Sequence, residues 1–387
     1  MADRTTHIPF NQPYVTGKEL TYIGEAVEGR HLSGNGPFAR RCSQWIEDAV
    51  STKRALLTPS CTAALEMTAV LADLRPGDEV IMPSFTFVST ANAVVLRGAV
   101  PVFVDIREDT LNIDERKLEE AITKRTRAVV AVHYAGVGCE MDEILAVARR
   151  HELLVLEDAA QGILSTYRGR PLGSLGDAAA LSFHETKNVM CGEGGALLIN
   201  RDDWVGRAEV IHEKGTDRSR FFRGEVDKYT WRDVGSSYVL SDINSAFLWA
   251  QLEEADQITK RRLETWEHYH SAFVELESEG LVRRPVVPAH CVHNAHMYYV
   301  LLSGELDRAW VLEKLHARGV SAMFHYVPLH ASDAGTRFGR GVGDLAVTSR
   351  VSESIVRLPL WPGIPGPTVD RIIAEIYDVL GARVGVS

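Results

Sequence analysis

Between Lys53 and Asn200, short apolar runs, many of them β-branched, alternate with stretches of helical periodicity. This alternation constrains the fold more than any other feature, because neighbouring parallel strands are joined by long crossovers that are usually helices. Seven strands are predicted, at Ala55–Leu57, Glu79–Pro83, Val100–Asp105, Ala128–His133, Leu153–Glu157, Ala178–Phe183 and Ala196–Asn200. Helices are predicted at Thr62–Ala72, Ser89–Leu96, Glu115–Thr123 and Met141–His151. The pattern indicates an α/β fold with a mostly parallel seven-stranded sheet.

The rest of the chain predicts a smaller α+β domain behind a long helical stretch at 241–280. Its elements are a strand at Met297–Leu302, a helix at Arg308–Arg318, a strand near Ala322–Tyr326 and a last helix at Val369–Leu380. We therefore expect a large domain over residues 1–255, including an N-terminal arm, and a small domain over residues 256–387.

Composition excludes several classes of function. The 387 residues carry 42 basic and 52 acidic side chains, a net charge of −10, which disfavours binding to nucleic acids or anionic membranes. No run of 18 apolar residues occurs, so no transmembrane span is predicted. The polar N-terminus predicts no signal peptide, and the five scattered cysteines indicate reduced thiols. A cytoplasmic protein is expected.

Lys187 lies in the short connection SFHETKN between two apolar runs that read as buried strands. A single lysine in a loop is usually solvated, and this is the simpler interpretation. If the lysine instead points into a cavity at the sheet edge, burial lowers the pKa of its ammonium group and makes the amine a nucleophile. Such an amine can form a Schiff base.

Two further segments are typical of a cofactor site at the same edge of the sheet. Ser60, Cys61 and Thr62 begin a predicted helix, where free amides and hydroxyls suit a phosphate, although a plain helix cap would look the same. Asp158 ends a buried strand, where it either keeps a pyridinium nitrogen protonated or caps the next helix.

Phe87 follows another strand and either stacks on a planar ring or belongs to the core. Ser182 could hold a phosphate oxygen while Lys187 reaches an aldehyde carbon. The order along the chain is the strongest signal: a phosphate seat, a stacking aromatic ring, a strand-end aspartate and, 29 residues later, a lysine.

With these motifs, the chain resembles the sugar aminotransferases of the DegT/DnrJ/EryC1/StrS family, which have the fold-type I architecture and use pyridoxal 5′-phosphate. The likeness covers nearly the whole chain and includes the stretches Pro76–Ser84 and His325–His330. It implies homodimers with shared active sites. It also implies the roles of the cofactor-binding residues: Lys187 as the Schiff-base lysine, Asp158 on the ring nitrogen, Phe87 on the ring face, Gln161 near the ring hydroxyl, and Ser60, Cys61, Thr62 and Ser182 on the phosphate. Where many members have an asparagine from the other subunit, this chain has Ser237.

Within the family, SFHETKN and Phe221–Tyr238 are most similar to members that act on TDP-4-keto-6-deoxyglucose. The resemblance implies a ping-pong transamination. L-Glutamate gives its amino group to the cofactor, leaving pyridoxamine 5′-phosphate, and the group then passes to the C4 ketone of a TDP-sugar while Lys187 moves the protons. His184, Arg223, His325 and Tyr326 are expected near the substrate.

Other functions remain open from sequence alone. A 4-keto-pentose or a 3-keto sugar nucleotide is the nearest alternative substrate. The family's dehydratases have histidine at the Schiff-base position, and this chain has Lys187, which disfavours dehydration. A non-catalytic regulatory protein on the same fold is a more remote alternative. His290, His293 and His296 share a three-residue spacing without an acidic partner, so no metal site is predicted.

Overall fold

A computed structural model describes residues 7–384 of the chain. The strands, in chain order, are β1 Arg54–Thr58, β2 Glu79–Pro83, β3 Val100–Val104, β4 Thr126–Val132, β5 Leu154–Asp158, β6 Thr166–Tyr167, β7 Arg170–Pro171, β8 Ala178–Ser182, β9 Gly195–Ile199, β10 Val282–Arg283, β11 Cys291–Val292, β12 Tyr298–Leu302, β13 Arg340–Gly341 and β14 Ile355–Leu358.

The helices, again in chain order, are α1 Glu19–Glu28, α2 Pro37–Val50, α3 Cys61–Leu71, α4 Val88–Val95, α5 Leu118–Ala121, α6 Met141–Arg150, α7 Asp202–His212, α8 Arg218–Phe222, α9 Asp242–Glu253, α10 Ala255–Ala272, α11 Val274–Ser278, α12 Arg308–Ala317, α13 Asp333–Phe338, α14 Ala346–Ser354 and α15 Gly366–Val384.

Within the described residues, the largest sheet has eight strands in the order β1-β9-β8-β5-β4-β2-β3-β13. Strands β8, β5, β4, β2, β3 and β13 are parallel, and β9 runs antiparallel between β8 and β1. The prediction of a mostly parallel sheet in an α/β fold is confirmed. All seven predicted strands are present, and the two-residue β13 joins the edge as an eighth.

Helices cover both faces of this sheet because its central strands are apolar on both sides. Strand β8 shows the alternation: Ala178 and Ala180 pack with α3 and α7, whereas Ala179 and Leu181 pack with α2 and α9. A crossover helix on either face brings each strand back in parallel, so the carboxyl ends of β2, β4, β5 and β8 meet at one edge. Ligands of such sheets bind at this edge.

A second core lies in the C-terminal part, where β10, β12 and β14 form a three-stranded antiparallel sheet. Residues of α10, α12 and α15 pack against this sheet, and Ile8 from the N-terminal segment joins the same core. The chain also returns to the large sheet, where β13 pairs with β3. The division of the domains near residue 255 stays a prediction.

The strand predicted near Ala322–Tyr326 is wrong. Only Met323 forms a bridge, with Arg357, and the residues around it have no ladder partner among those described. The next carbonyl groups are taken by side chains instead: Phe324 O accepts from Arg357 Nε and Tyr326 O accepts from Ser352 Oγ. The predicted helix Glu115–Thr123 is a 3₁₀ turn at Glu115–Lys117 followed by α5.

Candidate active site

A cavity of about 550 Å³ lies at the carboxyl edge of the large sheet, between that sheet and the C-terminal core. All but two of the predicted site residues line it: Ser60, Cys61, Thr62, Phe87, Asp158, Gln161, Ser182, His184, Lys187, His325 and Tyr326. These residues come from segments as far apart as residues 60 and 326, and the parallel sheet brings them together because several of them follow directly on strand ends.

Lys187 lies in the turn after β8, where its backbone amide donates to His184 O at 2.9 Å. Its side chain is half-buried and lines the cavity. Burial lowers the pKa of the Lys187 ammonium group, and the negative charge of Asp158 opposes part of this effect. The turn therefore presents an amine that loses its proton more readily than an ordinary lysine, which is what a nucleophilic amine requires.

Asp158 ends β5 and is 4% exposed. Its Oδ2 accepts a hydrogen bond from Thr90 Oγ1 at 2.7 Å, and its Oδ1 accepts from the amide of Ala160 at 3.2 Å. Thr86 Oγ1 lies 2.9 Å from Thr90 Oγ1. Because a carboxylate only accepts, Thr90 donates to Asp158 and Thr86 donates to Thr90. These hydrogen bonds fix the position of the carboxylate.

Thr86 and Thr90 are functional candidates that the sequence analysis missed. In this segment only Phe87 is predicted to have a role, although two hydroxyl residues four positions apart at the start of a helix can lie on the same side of it. That spacing was the available signal.

The predicted phosphate seat is the start of α3. Ser60 is its N-cap, and its Oγ accepts from the amide of Ala63 at 3.1 Å. The first amides of a helix have no acceptor within the helix, so those of Cys61 and Thr62 are available to an anion. Ser60 can therefore cap the helix and also belong to a phosphate site.

Two neighbours complete this seat. Thr62 Oγ1 lies 2.8 Å from Ser89 Oγ, which links α3 to α4. A Cβ atom on Gly195 would come within 2.5 Å of the Cys61 amide nitrogen, so only glycine allows β9 to pass so close to the helix start. The amides and hydroxyls thus form a narrow cradle with Ser182 at its side.

A cluster of rings forms another wall of the cavity. Phe87 is 56% exposed, and the centre of its ring lies 6.4 Å from that of Tyr326. Gln161 Oε1 accepts from the amide of Ala135 at 2.7 Å, which orients its Nε2 to donate to the Tyr326 hydroxyl at 3.0 Å. His325 stacks on Tyr326 with ring centres 3.7 Å apart. Phe87 is therefore not a core residue, and its open ring faces the cavity.

His184 lies at the mouth of the cavity. Its Nδ1 is 2.9 Å from Thr186 Oγ1, and its Nε2 is 3.6 Å from Glu193 Oε1. This partly exposed position suits contact with a bound substrate more than with the buried cofactor seat.

Arg223 and Ser237 do not reach this cavity in their own chain. They line a second cavity of about 860 Å³ on the α2 and α7 side. Arg223 forms ion pairs with Glu225 at 2.5 Å and with Glu209 at 2.9 Å, and Ser237 is an exposed residue whose backbone bridges to Glu213. Their roles in binding stay predictions, and these roles require that Arg223 and Ser237 of a second chain reach the cavity.

Sequence reasoning also missed a set of residues from the C-terminal part. His296 Nδ1 donates to Asn188 Oδ1 at 2.9 Å, while Asn188 Nδ2 donates to Asn294 O at 2.8 Å. Arg262 and Arg357 line the cavity as well. Arg262, His296 and Arg357 lie far from Lys187 in sequence, and they reach the cavity only through the packing of the C-terminal core.

Among residues 7–384, no group of three or more histidine, cysteine or acidic side chains has the arrangement of a metal site. The three spaced histidines have separate partners: His290 pairs with Glu140 at 3.0 Å, His293 packs edge-on against Trp266, and His296 bonds to Asn188. No helix in the described part of the chain is long and apolar enough to cross a membrane.

Comparison with known proteins identifies the family. The model of the DegT/DnrJ/EryC1/StrS aminotransferase family matches residues 13–377. The chain belongs to this family. Its members are sugar aminotransferases that depend on pyridoxal 5′-phosphate, so the chain is such an enzyme, and the expected fold-type I architecture is confirmed.

Three similar proteins illustrate the family. GDP-perosamine synthase of Caulobacter vibrioides is 35% identical over 95% of this chain and 97% of its own length. The structure of DesV from S. venezuelae, in complex with a ketimine intermediate, has a TM-score of 0.87 at 28% identity and covers 97% of this chain and 99% of its own. The structure of DesI, in the presence of its TDP-sugar product, has a TM-score of 0.87 at 27% identity and covers 99% of this chain and 95% of its own.

The residues of the cavity fit the family's cofactor. The cradle at α3 offers amides and hydroxyls for a phosphate, and the Gly195 position would be closed by any larger residue. Asp158 offers a carboxyl group for a ring nitrogen, and Lys187 offers an amine of lowered pKa for an aldehyde. The phosphate, the ring nitrogen and the aldehyde of pyridoxal 5′-phosphate therefore each have a chemically suitable group in this cavity.

Proposed function

We propose that the enzyme transfers the amino group of L-glutamate to the C4 ketone of a TDP-4-keto-6-deoxyhexose, giving a TDP-4-amino-4,6-dideoxyhexose and 2-oxoglutarate. The observation that carries this proposal is the meeting of Lys187, Asp158 and the α3 cradle in one cavity. An amine, a carboxylate and a phosphate seat in this arrangement suit amino-group transfer by a pyridoxal-phosphate enzyme.

Each residue has a proposed role. Lys187 would bond the cofactor aldehyde, and Asp158 would hold the ring nitrogen. Phe87 would stack on the ring and Gln161 would lie near the ring hydroxyl. The phosphate is held by Ser60, Cys61, Thr62 and Ser182, and by Ser237 of a second chain. The substrate contacts are His184, His325, Tyr326 and, from the second chain, Arg223.

The chain's own residues then account for the proton movements. When bound, the cofactor supplies an electron sink for the bond that breaks at the amino-bearing carbon. Lys187, once released, takes a proton from that carbon of the donor and later delivers one to the sugar carbon. Thr90 and Thr86 hold the Asp158 carboxylate in place throughout, because Thr86 donates to Thr90 and Thr90 donates to the carboxylate.

The choice of a TDP-4-keto-6-deoxyhexose rests on the sequence resemblance of SFHETKN and Phe221–Tyr238, together with the likeness to DesI, whose structure was solved with its TDP-sugar product. GDP-perosamine synthase, which is named for a GDP sugar, is similar at 35% identity. A 4-keto-pentose or 3-keto sugar nucleotide is the second candidate.

We also propose a homodimer in which each cavity is completed by the other chain. The support is an exposed aromatic surface on the segment of residues 213–238, which we call the 213–238 segment. Phe222 is 69% exposed and Trp231 is 79% exposed. Large exposed aromatic side chains in one segment mark an interaction surface. Because Ser237 and Arg223 lie on the same segment, a second chain seated on it would bring them to a neighbouring cavity.

We propose a cytoplasmic location. All five cysteines are free thiols, which suits a reducing compartment.

The test is a reaction with purified protein, pyridoxal 5′-phosphate, L-glutamate and TDP-4-keto-6-deoxyglucose. We expect the visible absorbance of the bound cofactor to fall on addition of L-glutamate and to return on addition of the keto sugar. The coupling constants of the amine-bearing carbon in the product would identify the position and orientation of the amine. The Lys187→Ala variant is the control for non-enzymatic exchange. Amination of a 4-keto-pentose or a 3-keto sugar in preference to this substrate would contradict the proposal.

A further inference from the structure

Two arginines line the cavity without an acidic partner. Arg262 and Arg357 both belong to its lining, and neither forms an ion pair with any carboxylate among residues 7–384. Arg54 and Arg223, which line the second cavity, do have such partners: Arg54 pairs with Glu47 and Arg223 with Glu209. A buried positive charge without a counter-charge is costly, so two arginines without ion pairs at one cavity wall require an explanation.

Arg357 is held firmly on one side only. Its Nε donates to Phe324 O at 3.0 Å, and its guanidinium carbon lies 4.8 Å from the centre of the Phe10 ring. Its backbone is fixed by the pairing of β14 with β12 and by the bridge to Met323. The stem and one nitrogen are thereby positioned, while the two terminal nitrogens keep their capacity for a paired hydrogen bond to an anion.

Arg262 is 2% exposed, and its guanidinium is bound only to neutral groups. Its Nε donates to Ala295 O at 3.0 Å, and a terminal nitrogen donates to His296 O at 2.6 Å. Burial lowers the pKa of Arg262 to about 9, which still leaves it protonated at neutral pH. The carbonyl groups satisfy its hydrogen bonds but do not neutralise its charge.

The acidic groups of the cavity are committed elsewhere. Asp158 accepts from Thr90 and from the Ala160 amide, and Glu193 is 69% exposed at the mouth beside His184. The wall formed by Arg262 and Arg357 is therefore positive. Arg357 is close enough to Lys187 for its charge to lower the pKa of that amine.

Two anions enter this cavity under the proposed function: a carboxylate of the amino donor and the diphosphate of the nucleotide sugar. The α-carboxylate is one bond from the carbon at which Lys187 acts. The diphosphate is attached at C1 of the sugar, across the ring from the C4 ketone. A cation close to Lys187 therefore matches the carboxylate better, and the planar fork of a guanidinium fits a carboxylate with two parallel hydrogen bonds.

We propose that Arg357 binds a carboxylate of the amino donor through its two terminal nitrogens, and that Arg262 supplies a second positive charge to the same subsite. This proposal rests on the proposed function, since it names the group by which the donor is recognised. Arg357 acts as a binding residue in the first half of the reaction and leaves the second half largely unaffected.

The experiment follows the two half-reactions separately by the visible absorbance of the bound cofactor. In Arg357→Gln, the concentration of L-glutamate needed for half of the change should rise by about 10- to 100-fold, the usual effect of losing a hydrogen bond to a charged group. The concentration of keto sugar needed in the second half should change by less than about threefold. Arg357→Lys keeps the charge and should recover part of the affinity.

The matched control is Arg337→Gln, which removes the same charge from an exposed arginine packed on Phe338, outside the cavity. It should leave both half-reactions as they are. Thermal unfolding of each variant shows whether it is folded, and Arg357→Lys serves as the test if Arg357→Gln does not fold.

A second measurement is independent of turnover: calorimetry of 2-oxoglutarate binding to the cofactor-free protein. Binding should be weakened by Arg357→Gln and unaffected by Arg337→Gln. A loss confined to the keto-sugar half would assign Arg357 to the diphosphate and overturn the proposal, as would equal affinity for L-glutamate in wild type and Arg357→Gln. If no amino acid changes the absorbance of the wild type, the proposed function fails, while the calorimetry still decides whether Arg357 binds a dicarboxylate.

Discussion

The cavity beside Lys187 and the 213–238 segment treat positive charge in opposite ways. In the cavity, Arg262 and Arg357 are held by carbonyl groups and aromatic rings, and their charges stay unpaired among the described residues. In the segment, most of the arginines form ion pairs with nearby acidic residues. Arg232 pairs with Asp217 at 2.6 Å, and Arg220 pairs with Glu225 at 3.0 Å.

The difference separates a cavity wall whose arginines have no acidic partner from a surface whose arginines mostly do have one. In the cavity, neutral groups position the charged side chains and leave their charges to a ligand. In the 213–238 segment, Lys214, Arg220, Arg223 and Arg232 already have acidic partners within the chain, and the most exposed feature is the aromatic surface. A cluster of basic residues in a sequence therefore identifies an anion site only when the acids beside it are counted too.

The strongest way to test this contrast is to remove the amine in each region. Lys187→Ala should reduce turnover by at least about 1,000-fold, because both the covalent attachment and the proton transfers are lost. Lys214→Ala, in the 213–238 segment beside Glu213, is the matched control and should retain turnover close to wild type. Steady-state rates with saturating substrates measure both. Full turnover in Lys187→Ala would end the proposed mechanism.

Removal of the Thr90 hydroxyl tests whether this group holds the Asp158 carboxylate in the position needed to bind the cofactor. Thr90→Val keeps the shape and loses the hydrogen bond to Asp158, so cofactor affinity and kcat/KM should fall by about 10-fold or more. Thr90→Ser keeps the hydroxyl and should stay near wild type. Titration of the apoenzyme with pyridoxal 5′-phosphate gives the affinity. Equal affinities for Thr90→Val and Thr90→Ser would show that the hydroxyl does not support Asp158.

The 213–238 segment is tested by complementation between chains. Arg223→Glu should lower kcat/KM for the keto sugar by about tenfold, by reversing a charge proposed to meet a diphosphate. If cavities are shared, mixing Arg223→Glu with Lys187→Ala should recover about a quarter of wild-type turnover, since half of the dimers are mixed and each mixed dimer has one intact cavity. No recovery on mixing, with exchange of subunits shown by native mass spectrometry, would place Arg223 outside the neighbouring site.

The smallest expected effect is a shift in pH dependence. Burial lowers the pKa of Lys187, so its free amine persists at lower pH than that of an ordinary lysine. Arg357→Gln removes a cation that lowers this pKa further, so the midpoint of cofactor loading should move to higher pH, by about one unit or less. Asp158→Asn removes an anion and should move it to lower pH. The loading rate of the apoenzyme as a function of pH measures both, and a shift in the same direction for the two variants would contradict the electrostatics.

Much of the site could be predicted from the sequence because it depends on strand ends. Ser60, Asp158 and Lys187 each follow or end a strand of one sheet, so finding the strands was enough to bring them together. Arg262 and Arg357 could not be found this way. They reach the cavity through α10 and β14, and only the packing of a second core decides which side of those elements faces Lys187.

The strand predicted near Ala322–Tyr326 fails for a related reason. Its residues have the apolar character of a strand, yet their carbonyl groups bond to the side chains of Arg357 and Ser352. The sequence pattern shows which residues are apolar, but it does not show which group donates to each backbone carbonyl. The same contact that breaks the strand also anchors Arg357.

The chain crosses more than once between its two cores. Ile8, near the N-terminus, pairs with Val320 and packs into the C-terminal core. Arg340 returns to the large sheet and meets Glu79, a carboxylate with no exposed surface that also pairs with Arg125. A recombinant hybrid joined at residue 255 would separate Ile8 from Val320 and Arg340 from Glu79. Exchange of C-terminal halves between relatives must therefore carry the first ten or so residues along and keep the acid at position 79, or Arg340 loses the ion pair that ties the C-terminal part to the large sheet.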